Sequence, residues 1–165
     1  HMRPRTILLA EATFSPHSLW MAQQVRNLLW ECDDRNLRPR FLIHDRDGCF
    51  SPEFDAVLGN ACVEAIRTPF RAPNANAYAE RWVLSARNEC FNHLILFGID
   101  SLRRTVRAYK DFFNDQRPHQ GIGNRVPATI DDQSATEKNS DNGAIGKVVC
   151  DKSLGGLLKS YRRAA

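Results

Sequence analysis

The sequence predicts an α/β domain in which one apolar strand leads through an amphipathic helix into another. Three observations carry that prediction. The run Thr6-Ile7-Leu8-Leu9-Ala10 is short and apolar and extends to Ala12. After Ser15-Pro16, residues Met21, Val25, Leu28 and Leu29 recur at the spacing of one helix face. Phe41-Leu42-Ile43 form a second apolar run, which stops at Asp45 and breaks at Gly48. Strand, helix and strand in that order favour a right-handed parallel crossover.

Each element has a local reason. Ser15 suits the N-cap of the first helix and Pro16 its first helical position. The cluster Asp33-Asp34-Arg35-Asn36, with Pro39 beyond it, ends that helix. The strand from Phe41 to His44 then delivers Asp45 to a sheet edge. Ser51-Pro52 opens a short helix to about Leu58, Gly59-Asn60 ends it, and Cys62 to Ile66 is the next strand. Pro69 and Pro73 keep residues 69–75 out of a helix. From about Asn76 a helix runs to roughly His93, with Ala79, Val83, Ala86 and Cys90 as its apolar stripe and Asn74 and Asn76 available as caps. Asp100 or Ser101 caps a further long helix whose buried line is Leu102, Val106, Tyr109 and Phe113. Residues 132–144 are polar and lack aromatics, which predicts a linker between a domain over residues 1–131 and an apolar-then-basic tail over 145–165.

With 165 residues the chain suits one domain with a core of its own. No run of about eighteen apolar residues occurs, which excludes a helical membrane span. His1-Met2 reads as a remnant of an expression tag rather than a signal peptide. Cys32, Cys49, Cys62, Cys90 and Cys150 are odd in number and scattered, with no Cys-x-x-Cys, so free thiols in a reducing cytoplasm are expected. The net charge of +4 is unevenly placed. Between Arg67 and Arg117 nine Lys/Arg face five Asp/Glu, while the remaining residues hold fourteen of each sign. A local basic excess suits a polyanion, because neutralised phosphates release counterions. Arg103, Arg104, Arg107 and Lys110 also fit a plain solvated helix face.

Three motifs stand in order along the chain. They are Asp45 with Gly48 and Phe50, the stretch Pro73-Asn74-Ala75-Asn76-Ala77-Tyr78-Ala79-Glu80, and Asn114-Asp115-Gln116-Arg117-Pro118-His119. Together they resemble the integrase catalytic core, the DDE family of bacterial insertion-sequence transposases and retroviral integrases. The resemblance covers roughly residues 5–130, and the ending from Leu154 to Ala165 is similar to a bacterial member's C-terminus. It implies an RNase H-like mixed sheet with flanking helices, and DNA integration or transposition by metal-dependent phosphoryl transfer. It further implies Asp45 and Glu80 as catalytic, metal-binding acids, Mg²⁺ or Mn²⁺ as cofactor, and DNA as partner. The family's first acid has no counterpart, since no Asp precedes Asp33. The sequence therefore reads as a core truncated at its opening strands, DNA-binding and poorly active alone. An unpaired edge along Thr6–Ala12 would then favour a homo-oligomer.

The chemistry needs carboxylates for a physical reason. Two divalent ions about 3.5–4 Å apart can activate a hydroxyl, stabilise the leaving oxygen and neutralise phosphate charge. Mg²⁺ prefers oxygen ligands and retains waters, so a few acids suffice. Asp47 rivals Asp45, which is preferred because Phe50 follows it at the family's spacing. Glu11 is a secondary candidate for a replacement third acid. Arg71, Arg81 and Arg87 are DNA-contact candidates, Arg87 lying two turns after Glu80 on one helix face. Leu84 stands where some relatives carry a basic residue. His119 is a secondary candidate whose alternative role is to hold a turn, and His44 beside Asp45 reads as structural, with tuning of the site as its alternative role. Two other readings stay open: a non-catalytic DNA- or partner-binding module, and a metal-dependent nuclease with a rebuilt acid triad.

Overall fold

The computed structural model describes residues 5–70, 73–128 and 147–164. They fall into two compact units. Leu8–Val83 form a crossover unit, while the segment ending at Ile7 and the chain from Leu84 onward form a helical unit.

The crossover unit begins without the expected strand. Residues 5–13 are irregular, and among the described residues no strand pairs with them. At Ile7, which belongs to the helical unit, the reason is visible. The Asn114 side chain takes both backbone groups, its Oδ1 accepting from the Ile7 N–H and its Nδ2 donating to the Ile7 carbonyl, each at 2.9 Å. A side-chain amide has the donor and acceptor that a neighbouring strand would offer, so backbone pairing is satisfied here without a ladder.

Helix α1 spans Ser18–Asp34, later than Ser15-Pro16 suggested. The Ser15 N–H is taken by Thr13 Oγ1 at 3.1 Å, which forms a separate turn. His17, in extended conformation, becomes the N-cap and accepts the Trp20 N–H on Nδ1 at 3.2 Å. The predicted stop holds: Asn36 turns left-handed at φ 52°, and the Leu37 N–H reaches back to Cys32 O at 2.7 Å.

Strand β1 (Phe41–His44) pairs in parallel with β2 (Glu64–Arg67), in register from Phe41 opposite Glu64 to His44 opposite Arg67. Helix α2 (Pro52–Asn60) makes the crossover between them. The parallel unit is thus β1–α2–β2, one step further along the chain than the Thr6–His44 pairing that periodicity suggested. Val25 of α1, Phe54 and Leu58 of α2 and Val63 are buried together, with Met21, Leu29, Leu42 and Phe50 packed around them. Removing such side chains from water contributes about 1.5–3 kcal/mol each, and this fixes α1 and α2 on the same short sheet.

A 3₁₀ turn over Pro73–Asn76 leads into α3 (Ala77–Glu89). Of its predicted stripe, Ala86 and Cys90 are fully buried, whereas Ala79 and Val83 are exposed. Helix α3 also stops before His93. The backbone breaks at Cys90, and His93 Nε2 donates to the Asn88 carbonyl at 2.8 Å, satisfying an acceptor at the helix end. Helix α4 (Gly98–Asp115) starts from Phe97, so Asp100 and Ser101 lie inside its first turn rather than at the cap. Val106, Tyr109 and Phe113 of the predicted line are buried, with Thr105 and Asn114 beside them, whereas Leu102 is only half-buried.

The C-terminal segment carries a β ribbon. Strands β3 (Val148–Ser153) and β4 (Leu158–Arg163) form an antiparallel ribbon with six residue pairs. Leu154, Gly155 and Gly156 close it with three consecutive positive φ angles, a path that glycine adopts at little cost. The predicted linker over 132–144 lies outside the described residues.

Candidate active site around Asp45

Asp45 emerges where β1 ends, exposed to solvent, and the chain behind it is built to hold it there. Its Oδ1 accepts the Asp47 N–H at 3.1 Å, and Asp47 Oδ1 accepts the Cys49 N–H at 2.9 Å. Two side-chain-to-backbone turns in succession stiffen residues 45–49. Asp47 is committed to its turn: hydrogen bonds from the Cys49 thiol and backbone hold its carboxyl below the usual range. The same contact raises the Cys49 thiol above its ordinary value.

Behind the turn sits an aromatic cluster. His44 is buried, and its Nδ1–H donates to the Asp45 carbonyl at 2.7 Å. The His44 ring lies 4.3 Å from Phe50 and 5.5 Å from Phe54, and the two phenyl rings meet at 5.0 Å with an edge-on inclination. Phe50, five residues after Asp45, therefore locks the base of the turn that presents the carboxylate. The sequence singled out Phe50 as a spacing, and the structure gives that spacing a mechanical cause. Arg46, which sequence reasoning missed, binds the turn from the other side. Its Nε donates to Thr68 O at 3.0 Å, and its guanidinium lies 6.0 Å from the Phe70 ring centre.

Glu80 lies in the first turn of α3 and is exposed, as is Arg81. Both belong to the same compact unit as Asp45. Among the described residues neither Asp45 nor Glu80 has an ion-pair partner. Arg87 is exposed in the last turn of α3, within the helical unit. Arg71 lies outside the described residues. Glu11 is half-buried and already engaged by another group. Among the described residues no three His, Cys, Asp or Glu side chains converge as a metal site. Asp45 and Glu80 are both solvent-exposed hard oxygen donors, the ligand type that Mg²⁺ and Mn²⁺ prefer.

His119 belongs to the helical unit's scaffold. It is buried, its backbone pairs with Arg125, its Nε2–H donates to Phe113 O at 3.1 Å, and its ring meets Phe113 at 4.3 Å. Burial lowers its pKa, the more so with the Arg117 and Arg5 cations nearby. The neighbouring network was not visible in the sequence. Glu89 receives Arg117 at both carboxylate oxygens, at 2.9 and 2.6 Å, and the Tyr109 hydroxyl at 2.9 Å. Burial, then Glu89, holds the Tyr109 phenol well above its ordinary value. The Arg117-Pro118-His119 motif is therefore a clamp between α3 and α4. All five cysteines are free, as expected. Among the described residues no helix is long and apolar enough to cross a membrane.

Residues 61–127 match the family model of the integrase core domain. The crystal structure of the catalytic core domain of BIV integrase, in crystal form I, is similar over 78% of this chain and 78% of that one. The TM-score is 0.52 at 14% sequence identity, which bears on the fold. No curated protein matches the chain. The fold is that of the integrase and transposase catalytic cores, an RNase H-like α/β arrangement with small sheets.

Proposed function

We propose that this transposase- and integrase-like chain acts on DNA in metal-dependent phosphoryl transfer, with Asp45 and Glu80 as its acids. The observation that carries the reading is the presentation of Asp45. A solvent-facing carboxylate is fixed at the end of the parallel strand β1 by two successive turns and an aromatic wedge. A plain surface Asp has no need of such support. Asp45 and Glu80 are both exposed hard donors, and Arg81, next to Glu80, supplies exposed positive charge for phosphates. A divalent ion held there would activate an attacking hydroxyl and offset charge on the scissile phosphate. With two acids the site holds cations weakly, so the chain alone binds duplex DNA in a salt-sensitive way and transfers strands poorly.

A second reading has its own support. The local excess of nine Lys/Arg over five Asp/Glu between Arg67 and Arg117 also suits a DNA- or partner-binding module without chemistry of its own. A labelled duplex with a recessed 3′ end, incubated with Mg²⁺ and then Mn²⁺, separates the two. Mn²⁺-dependent nicking that disappears in both Asp45→Asn and Glu80→Gln supports the catalytic reading. Binding without nicking under either ion leaves the module. Nicking that survives both substitutions rules out the assigned acids.

A further inference from the structure

We infer that the outward face of the C-terminal ribbon, carrying Lys152, Lys159, Tyr161 and Arg163, is a duplex-DNA-binding surface in its own right. It lies outside residues 61–127, which match the integrase core, and it rests on the reading that the chain works on DNA. The antiparallel register sorts the ribbon into two faces. Asp151, Leu158, Ser160 and Arg162 share one, and Val148, Cys150, Lys152, Lys159, Tyr161 and Arg163 share the other. The first face is anchored. Leu158 is buried, Ser160 Oγ donates to Gln116 Oε1 at 2.8 Å, and Arg162 pairs with Asp151 at 2.7 Å.

The second face turns to solvent. Lys152 and Lys159 are exposed and sit directly opposite each other. Like charges in that position repel, and the ribbon's single acid, Asp151, is on the other face and occupied. The repulsion is relieved by an anion between or across the two ammonium groups. Tyr161 is 68% exposed beside them and Val148 62%, so the face also offers apolar surface without a cover. Arg163 lies four residues beyond Lys159, about 13 Å along the strand. Over that length a duplex presents roughly eight phosphates, so the facing Lys152 and Lys159 can meet phosphates without fine positioning. A two-stranded ribbon is also slim enough to lie along or in the major groove.

The test uses the full chain, a fluorescent duplex and anisotropy titrations over a range of salt without divalent ions. Three proteins are compared: wild type, Lys152→Ala/Lys159→Ala, and Arg81→Ala/Arg87→Ala. The ribbon variant is expected to bind more weakly to all sequences, with the slope of log K against log salt shallower by about two. Its melting temperature without DNA should be unchanged or higher, because a like-charge pair is gone. Tyr161→Ala should weaken binding at unchanged slope. A ribbon variant that binds like wild type while the α3 variant loses affinity overturns the inference and leaves the DNA reading standing. A ribbon variant that melts lower also overturns it, by making the lysines structural. Wild type that binds no duplex at any salt removes both.

Discussion

Single residues carry the sharpest expectations. Asp45→Asn keeps an amide oxygen to accept the Asp47 N–H, so the turn should persist while the charge is lost. The expected result is loss of Mn²⁺ binding, read by electron paramagnetic resonance, with stability within about 0.5 kcal/mol of wild type. His119 behaves in the opposite way, altering stability rather than chemistry. Its folded pKa is lowered by burial, whereas an unfolded histidine titrates near about 6.5. Above that pH both states are neutral and nothing is lost. As pH falls below it, the unfolded state takes up a proton that the folded state resists. Stability should then drop by at most about 1.4 kcal/mol per pH unit, measured by urea melts between pH 7.5 and 5.5, and His119→Gln should flatten that dependence. The local turn at Asp45 and the packing of His44 were legible because they depend on neighbours within ten positions. Glu89 was not, since its partners Tyr109 and Arg117 lie 20 and 28 residues away.

At the scale of elements, two contacts decide whether the pieces hold their angles. Phe50 ties the Asp45 turn to α2 through His44 and Phe54. Phe50→Ala should cost about 2 kcal/mol, less than for a fully buried ring because Phe50 is half-buried. It should also weaken Mn²⁺ binding without touching a carboxylate. Glu89 joins α3 to α4, and Glu89→Gln leaves the half-buried Arg117 without its counter-charge. About 1–2 kcal/mol should be lost, the lower part of the range for charged hydrogen bonds since both groups are about a third exposed. The Tyr109 phenol should then titrate at lower pH, visible by ultraviolet absorbance. Helices with a strong stripe, such as α4, could be read from the sequence because 3.6-residue periodicity reports burial directly. The Thr6–Ala12 strand could not, because an apolar run says nothing about whether a partner strand exists. The β3–β4 ribbon had a legible signal in Gly155-Gly156 between two alternating stretches, but the charged residues around it masked the pattern.

The whole molecule divides unevenly along the sequence. The crossover unit is one continuous stretch, Leu8–Val83, while the helical unit is assembled from chain on both sides of it. Acid and the Glu89→Gln substitution should therefore loosen amide protection in residues 84–128 before residues 41–67, a difference that hydrogen exchange resolves by segment. The Asn114 contact with Ile7 bridges 107 residues. Closing a loop of that length costs about 1.4 kcal/mol more entropy than bringing β1 to β2 across their crossover. Order of formation follows from that difference. During synthesis the crossover unit can complete its parallel pair as soon as residue 83 is free, whereas the segment around Ile7 must wait for α4. In a refolding experiment with pulsed deuterium labelling, amides of β1 and β2 should gain protection first and Ile7 last. Until then the Ile7 amide and carbonyl wait for the Asn114 side chain that pairs with both.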